Sequence, residues 1–168
     1  MHEEPQETTC PGCGLRLLAD PAAIPSPWDA SAECWRLYGE LSAYTLTRGD
    51  VAFIHQHVVD AYGTQHAGPR AKPIGVAFAL IGLYYACERG YSGRQVQHMH
   101  MLLARRSKMW PRFSPPPDRG TLTVADVLAA ESGPARDATL RAWARAVWDA
   151  WGAEQAHVRT LAETVMAD

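Results

Sequence analysis

The sequence contains no apolar run long enough to cross a bilayer. The longest, Ile74 to Cys87, falls short of the ~20 residues that a membrane helix needs. A secretory leader is not expected either: MHEEPQETTCPGCG is acidic and polar, where a leader is basic and then apolar. Charge of one sign is also lacking. The formal net charge is −2, so no general attraction to nucleic acid or anionic lipid is expected. No stretch alternates polar and apolar residues convincingly, and no segment repeats, which argues against a sheet protein or a solenoid. Cysteine is scarce, with four in the chain. These absences lead to the expectation of a cytoplasmic protein with no membrane partner, its thiols free or metal-bound rather than disulfide-linked.

What is present suits one packed domain. The chain has 168 residues, 47% of them hydrophobic, with six Trp and six Tyr. Residues 1–9 read as a disordered terminus and 10–168 as a single helical domain. Within it, 10–30 is a Cys-bearing, Pro-rich loop (CPGCG, then DPAAIPSPWD) and 31–166 is helical. SAECWRLYGELSAYTL puts Cys34, Leu37, Leu41 and Tyr44 on one stripe. Asp50 can cap a helix running to about His66, and Gly68-Pro69 ends it. Pro73 opens an apolar helix over 73–88, expected to be the buried central one, and Gly90 closes it. Ser92 and Gln95 form a capping box for a helix to about Lys108. Thr123 to Asp126 opens a short helix, and Pro134 a long one to about Met166. In the long helix Leu140, Trp143, Val147, Trp151, Val158 and Leu161 recur at helical spacing, as core or as the face of a homodimer. The fold class read from this is all-α: a five- or six-helix bundle preceded by a small Cys-bearing zinc-knuckle loop.

Cys10-Pro-Gly-Cys13-Gly14 is the strongest chemical signal. Two sulfurs at this spacing, with glycines that let the backbone fold back, present themselves to one tetrahedral ion, and zinc is the default. A redox pair would need a strand before it and a helix opening on it, and neither is evident. An incidental turn is the remaining alternative. Four ligands are required and there is no second Cys-x-x-Cys, so Cys34 is the natural third, or else a small core residue beside Trp35. Cys87, in the apolar helix, reads as a packed core thiol.

The fourth ligand is sought in HQHVVDAYGTQH, residues 55–66, which holds three histidines. At about 100° per residue, His55, Tyr62 and His66 border the apolar stripe. His57 lies near the opposite border, and Asp60 points almost directly away from the stripe, toward solvent. His55 and His66 are about 16 Å apart along a continuous helix and so cannot share one ion. His66, at the helix end, is the chosen fourth ligand; the competing reading is a histidine favoured there by the helix dipole. His55, Asp60 and Tyr62 are then candidates for a separate polar or catalytic site. His98 and His100 project about 200° apart and do not chelate, and His100 reads as a core histidine.

CPGCG, Glu33-Cys34-Trp35, His55 and Val59-Asp60-Ala61-Tyr62 with Gln65-His66 together resemble an uncharacterised bacterial domain family of unknown function. That family is often actinobacterial and carries CPxCG and VDxYxxQH motifs. The resemblance covers most of residues 10–90. It implies that Cys10, Cys13, Cys34, His55, Asp60, Tyr62, Gln65, His66 and Glu88 are the positions to watch, and it brings no activity. There are two departures: Ala79 stands where relatives often carry a histidine, and Ala67 follows His66 where proline is usual.

Three functions follow as expectations. The leading one is a small zinc-binding helical protein with a structural metal and a binding or regulatory role toward an unnamed protein or small molecule. The alternative is a metal-dependent enzyme, a hydrolase or thiol transferase, in a bundle similar to the DinB-like metal-binding bundles. It would use His55, Asp60, His66 and His100 with Tyr62 as acid, although no His-x-x-x-His pair occurs. The third rests on segment 94–119, with six Arg or Lys against one acid; it lacks a stacking array, so nucleic acid is not the expected partner.

Overall fold

In the computed structural model, which describes residues 5–167, the chain is mostly helical with a small sheet at its start. Strands β1 (Glu7–Thr9) and β2 (Arg16–Leu18) pair antiparallel, with Thr8 opposite Leu17. The expectation of a pure helix bundle is therefore corrected: a hairpin precedes the helices. The expected disorder of residues 1–9 falls partly on residues 1–4, which lie outside the described residues, while Glu7–Thr9 form a strand. Three-residue strands are too short to carry a readable alternation. The cysteine turn closes this hairpin. Gly14 N–H donates to the Cys10 carbonyl at 2.9 Å and Cys10 N–H to the Leu15 carbonyl at 2.8 Å. Gly14 sits at φ 76°, in the left-handed region that glycine enters at no steric cost.

Seven α-helices follow among the described residues: α1 (Ala32–Thr47), α2 (His55–Gln65), α3 (Pro73–Arg89), α4 (Gly93–Arg106), α5 (Val124–Ala129), α6 (Pro134–Ala150) and α7 (Gln155–Ala167). Their ends follow local chemistry. Ser31 Oγ accepts from Cys34 N–H at the start of α1. Ser92 with Gln95 and Thr123 with Asp126 form capping boxes on α4 and α5. Gly90, at φ 66°, closes α3. Two expectations are adjusted. Asp50 caps a turn, its carboxylate accepting from Ile54 N–H, and α2 starts only at His55. The expected single helix to Met166 breaks at Trp151 into a 3-10 turn over Gly152–Glu154 before α7.

The most enclosed helix by position is α2, which packs on α3 and α6 and also touches α1 and α4. Every residue from Asp60 to Ala67 is buried. This corrects the solvent-facing expectation for Asp60, which is 1% exposed. Periodicity failed there because α2 is only partly open to solvent in its first turns, and small residues let its neighbours close in around the rest. A Cβ on Gly63 would lie 2.9 Å from the Trp28 ring and 3.2 Å from the Ala79 Cβ. Gly82 of α3 lies directly against the Asp60 carboxyl. Trp143, Trp148 and Trp151 lie under 2% exposed, in the core formed with α3.

Candidate metal centre

The hairpin turn, the first turn of α1 and the end of α2 meet at one point. Cys10, Cys13, Cys34 and His66 bring their ligand atoms within 4.8 Å of one another, and they are the one such group among the described residues. Cys10, Cys34 and His66 are buried and Cys13 is half-buried. The Sγ atoms of Cys13 and Cys34 are 3.8 Å apart, and Cys34 Sγ is 3.4 Å from His66 Nε2. A tetrahedral ion with sulfur bonds of about 2.3 Å and nitrogen bonds of about 2.0 Å would put two sulfurs about 3.8 Å apart, and sulfur and nitrogen about 3.5 Å apart. The donor set therefore fits one tetrahedral metal ion.

The surroundings fix these donors. His66 Nδ1 lies 2.8 Å from the Tyr62 carbonyl, which can only accept, so Nδ1 carries the proton and Nε2 keeps its lone pair for the sulfur side. The Tyr62 ring stacks on the imidazole at 3.9 Å between centroids, and its hydroxyl donates to Cys34 Sγ at 3.5 Å. Asp29 N–H donates to the His66 carbonyl at 3.0 Å. Gly12 lets the knuckle lie on this histidine: a Cβ there would meet His66 Cδ2 at 2.5 Å and the Asp29 carbonyl oxygen at 2.6 Å. Arg119 adds a second brace, its Nη1 donating to the carbonyls of Gln65 and Ala67 on either side of His66.

The three thiols set one another's ionisation. Hydrogen bonds from Cys13 and Cys34 hold Cys10 far below the usual thiol range. That thiolate in turn pushes Cys13 up to about 12 and raises Cys34 as well. A divalent ion held by these residues would override this, because its charge favours all three thiolates at once and would release their protons. Three thiolates around a divalent ion carry one net negative charge. Burial lowers the Arg119 pKa, and Asp29, Cys10 and Cys13 pull it back up, so the guanidinium lies within electrostatic reach of that charge.

The other sequence candidates do not join the cluster. His55 Nδ1 lies 2.9 Å from Thr45 Oγ1, and burial lowers its pKa. Asp60 accepts from Gln56 Nε2 at 3.1 Å, while its second oxygen is buried with no partner. Burial raises its pKa well above its usual 3.8, which favours the neutral form. His100 Nε2 donates to the Phe78 carbonyl at 2.8 Å, the arrangement of a satisfied core histidine. Thus His55, Asp60 and His100 do not converge with His66, and Tyr62 supports the cluster rather than facing a cleft. Gln65 ties α2 to α6 and the 119–122 loop, donating to the Arg119 and Leu122 carbonyls and accepting from Trp143 Nε1. Glu88 pairs with Arg159 and accepts from Trp148 Nε1.

The basic segment is engaged internally as well. Arg94 lies over the Phe53 ring, Arg106 donates to the Val165 and Met166 carbonyls near the end of α7, and Arg119 braces the backbone around His66. Sequence reading did not reveal the close approach of Gly12 to His66 or the braces from Asp29 and Arg119. The Pro-Gly inside the knuckle was a visible cue for Gly12. Asp29 and Arg119 act through backbone groups distant in sequence, which leave no local pattern.

Residues 8–152 match a protein family described as a family of unknown function (DUF5946). No curated protein and no solved structure matches. The matched span contains all four clustered residues together with Tyr62 and Arg119, and the whole of α7 lies beyond it.

Proposed function

The chain belongs to this DUF5946 family of unknown function, and from the cluster itself we propose that it is a small zinc-binding helical protein whose ion is structural. The observation that carries the reading is the completeness of the donor set. Three cysteines and one histidine lie within 4.8 Å of one another, enclosed and braced from two sides. Catalytic zinc keeps an open position with three protein ligands, whereas closed four-ligand sites with several thiolates are structural. Soft sulfur donors in tetrahedral array favour zinc over hard cations. Once bound, zinc joins the hairpin, α1 and α2, and supplies folding energy rather than a reaction. Cys10 and Cys13 hold the hairpin, Cys34 the start of α1, and His66 the end of α2, with its Nδ1 proton kept on the Tyr62 carbonyl. The role of the stabilised body is then binding or regulation.

The test is metal content by elemental mass spectrometry on untagged protein, for wild type and for Cys13→Ser, Cys34→Ser, His66→Ala and His55→Ala. One zinc per chain is expected, lost in the first three variants and kept in His55→Ala. No metal in any sample, or metal kept without the cysteines, would sink the reading.

A further inference from the structure

A second cluster lies away from the metal centre, where the end of α3 meets α6 under His57 of α2. These elements enclose a cleft of about 320 Å³ lined by His57, Cys87, Tyr91, Arg141 and Arg145. Positive groups collect there without a counterion. Arg141 and Arg145 stand one turn apart on α6, a spacing at which like charges repel. Arg145 donates to the Cys87 carbonyl, while Arg141 has no ion-pair or hydrogen-bond partner among the described residues. His57 makes no side-chain hydrogen bond either, and its Nδ1 is buried. Nε2 is not among the buried unpartnered atoms and His57 lines the cleft, so in the tautomer protonated at Nε2 the ring donates into it.

The acids nearby do not close this gap. Glu88 is taken by Arg159 and Trp148, and Asp50 accepts from Ile54 N–H. Asp149 acts on Cys87 from a distance and pairs with neither arginine. The Cys87 thiol is neutral, pushed up to about 11 chiefly by burial, so it does not repel an anion.

We propose that this cleft binds a small oxyanion of the carboxylate or phosphate class, held by the Arg141 guanidinium and His57 Nε2–H with Arg145 at its rim. A charge-assisted bond to Arg141 would neutralise the repulsion along α6, and the imidazole would supply the neutral donor that fixes orientation. The proposal is independent of the zinc reading, since no residue of the cleft is a metal ligand.

The experiment is a titration of the full chain with sodium phosphate and, separately, sodium acetate at fixed pH. Sodium chloride at equal ionic strength is the reference. The readout is the His57 ring resonances by NMR, assigned with His57→Gln. A saturable His57 shift with phosphate or acetate, absent with chloride, is expected, and whichever anion saturates at lower concentration identifies the class. Arg141→Gln, an exposed change that leaves the core intact, should weaken that binding by about tenfold or more, as loss of a charge-assisted bond does. Arg105→Gln, outside the cleft, should leave it unchanged. An unmoved His57, an equal response to chloride, or an Arg141→Gln variant that binds like wild type would overturn the proposal.

Discussion

Gly12→Ala probes the metal centre through a single methyl group. The new Cβ would sit 2.5 Å from His66 Cδ2 and 2.6 Å from the Asp29 carbonyl oxygen. Ordinary contact begins near 3.4 Å, so both neighbours would have to retreat by almost an ångström. Neither can do so cheaply. The imidazole is held by its Nδ1 bond to Tyr62 and by ring stacking, and Asp29 is tied to the His66 carbonyl. Over-packing of this kind costs about 1–3 kcal/mol, which corresponds to a loss of roughly 5- to 150-fold in zinc affinity if the strain is released on losing the ion. The assay is competition for zinc against a chromophoric chelator, with urea unfolding of the loaded protein alongside. Gly39→Ala is the matched control, because nothing lies within 4 Å of a Cβ there. In the exposed middle of α1 it should gain up to about 1 kcal/mol from helix propensity. A Gly12→Ala protein that holds zinc as tightly as wild type and unfolds at the same urea concentration would refute the close approach of knuckle and histidine.

Two further outcomes follow from buried titratable groups. Burial raises the Asp60 pKa in the fold above its usual 3.8. As pH rises past that value the unfolded chain ionises while the fold must stay neutral, so stability falls with pH until the folded group ionises too. Asp60→Asn should therefore raise the urea midpoint at pH 7, with the gain shrinking as pH is lowered toward 4; an unchanged or lower midpoint at pH 7 would count against a neutral Asp60. His100 runs the other way. Burial lowers its pKa to about 4, so stability is complete above its unfolded value of 6.5 and is lost as pH falls from there toward 4. The loss is at most about 3 kcal/mol, from 1.36 kcal/mol per pH unit. His57 is shifted down to about 4 as well, so His100→Gln should lessen that acid limb without abolishing it in urea unfolding followed from pH 7 to 4; an identical slope would show that His100 does not contribute.

Legibility in the sequence followed the range of the cause. Caps were readable because Ser92, Thr123 and Gly90 act on backbone within their own turn. Cys10 and Cys13 announced themselves by spacing, and Cys34 and His66 by their positions at helix ends, where the chain can turn toward a knuckle. Asp60 was misread because helical periodicity assumes one wet face, and α2 has neighbours all round. The hairpin escaped because its strands are three residues long and are set by the cysteine turn rather than by alternation. Arg119 escaped because it grips carbonyl groups of residues 65 and 67, and any residue type supplies a carbonyl.

That grip bears on the order in which the chain assembles during synthesis. All four clustered residues have left the ribosome once His66 has emerged, so an ion could be captured while α3 to α7 have yet to emerge. Arg119 arrives more than fifty positions later, as the separation of its bond to Gln65 records. Capture of an ion and its locking by Arg119 would then be successive events. A nascent chain stalled before Arg119 would exchange its zinc faster than the finished protein, and translation itself would act as the clock that turns a labile ion into a permanent one.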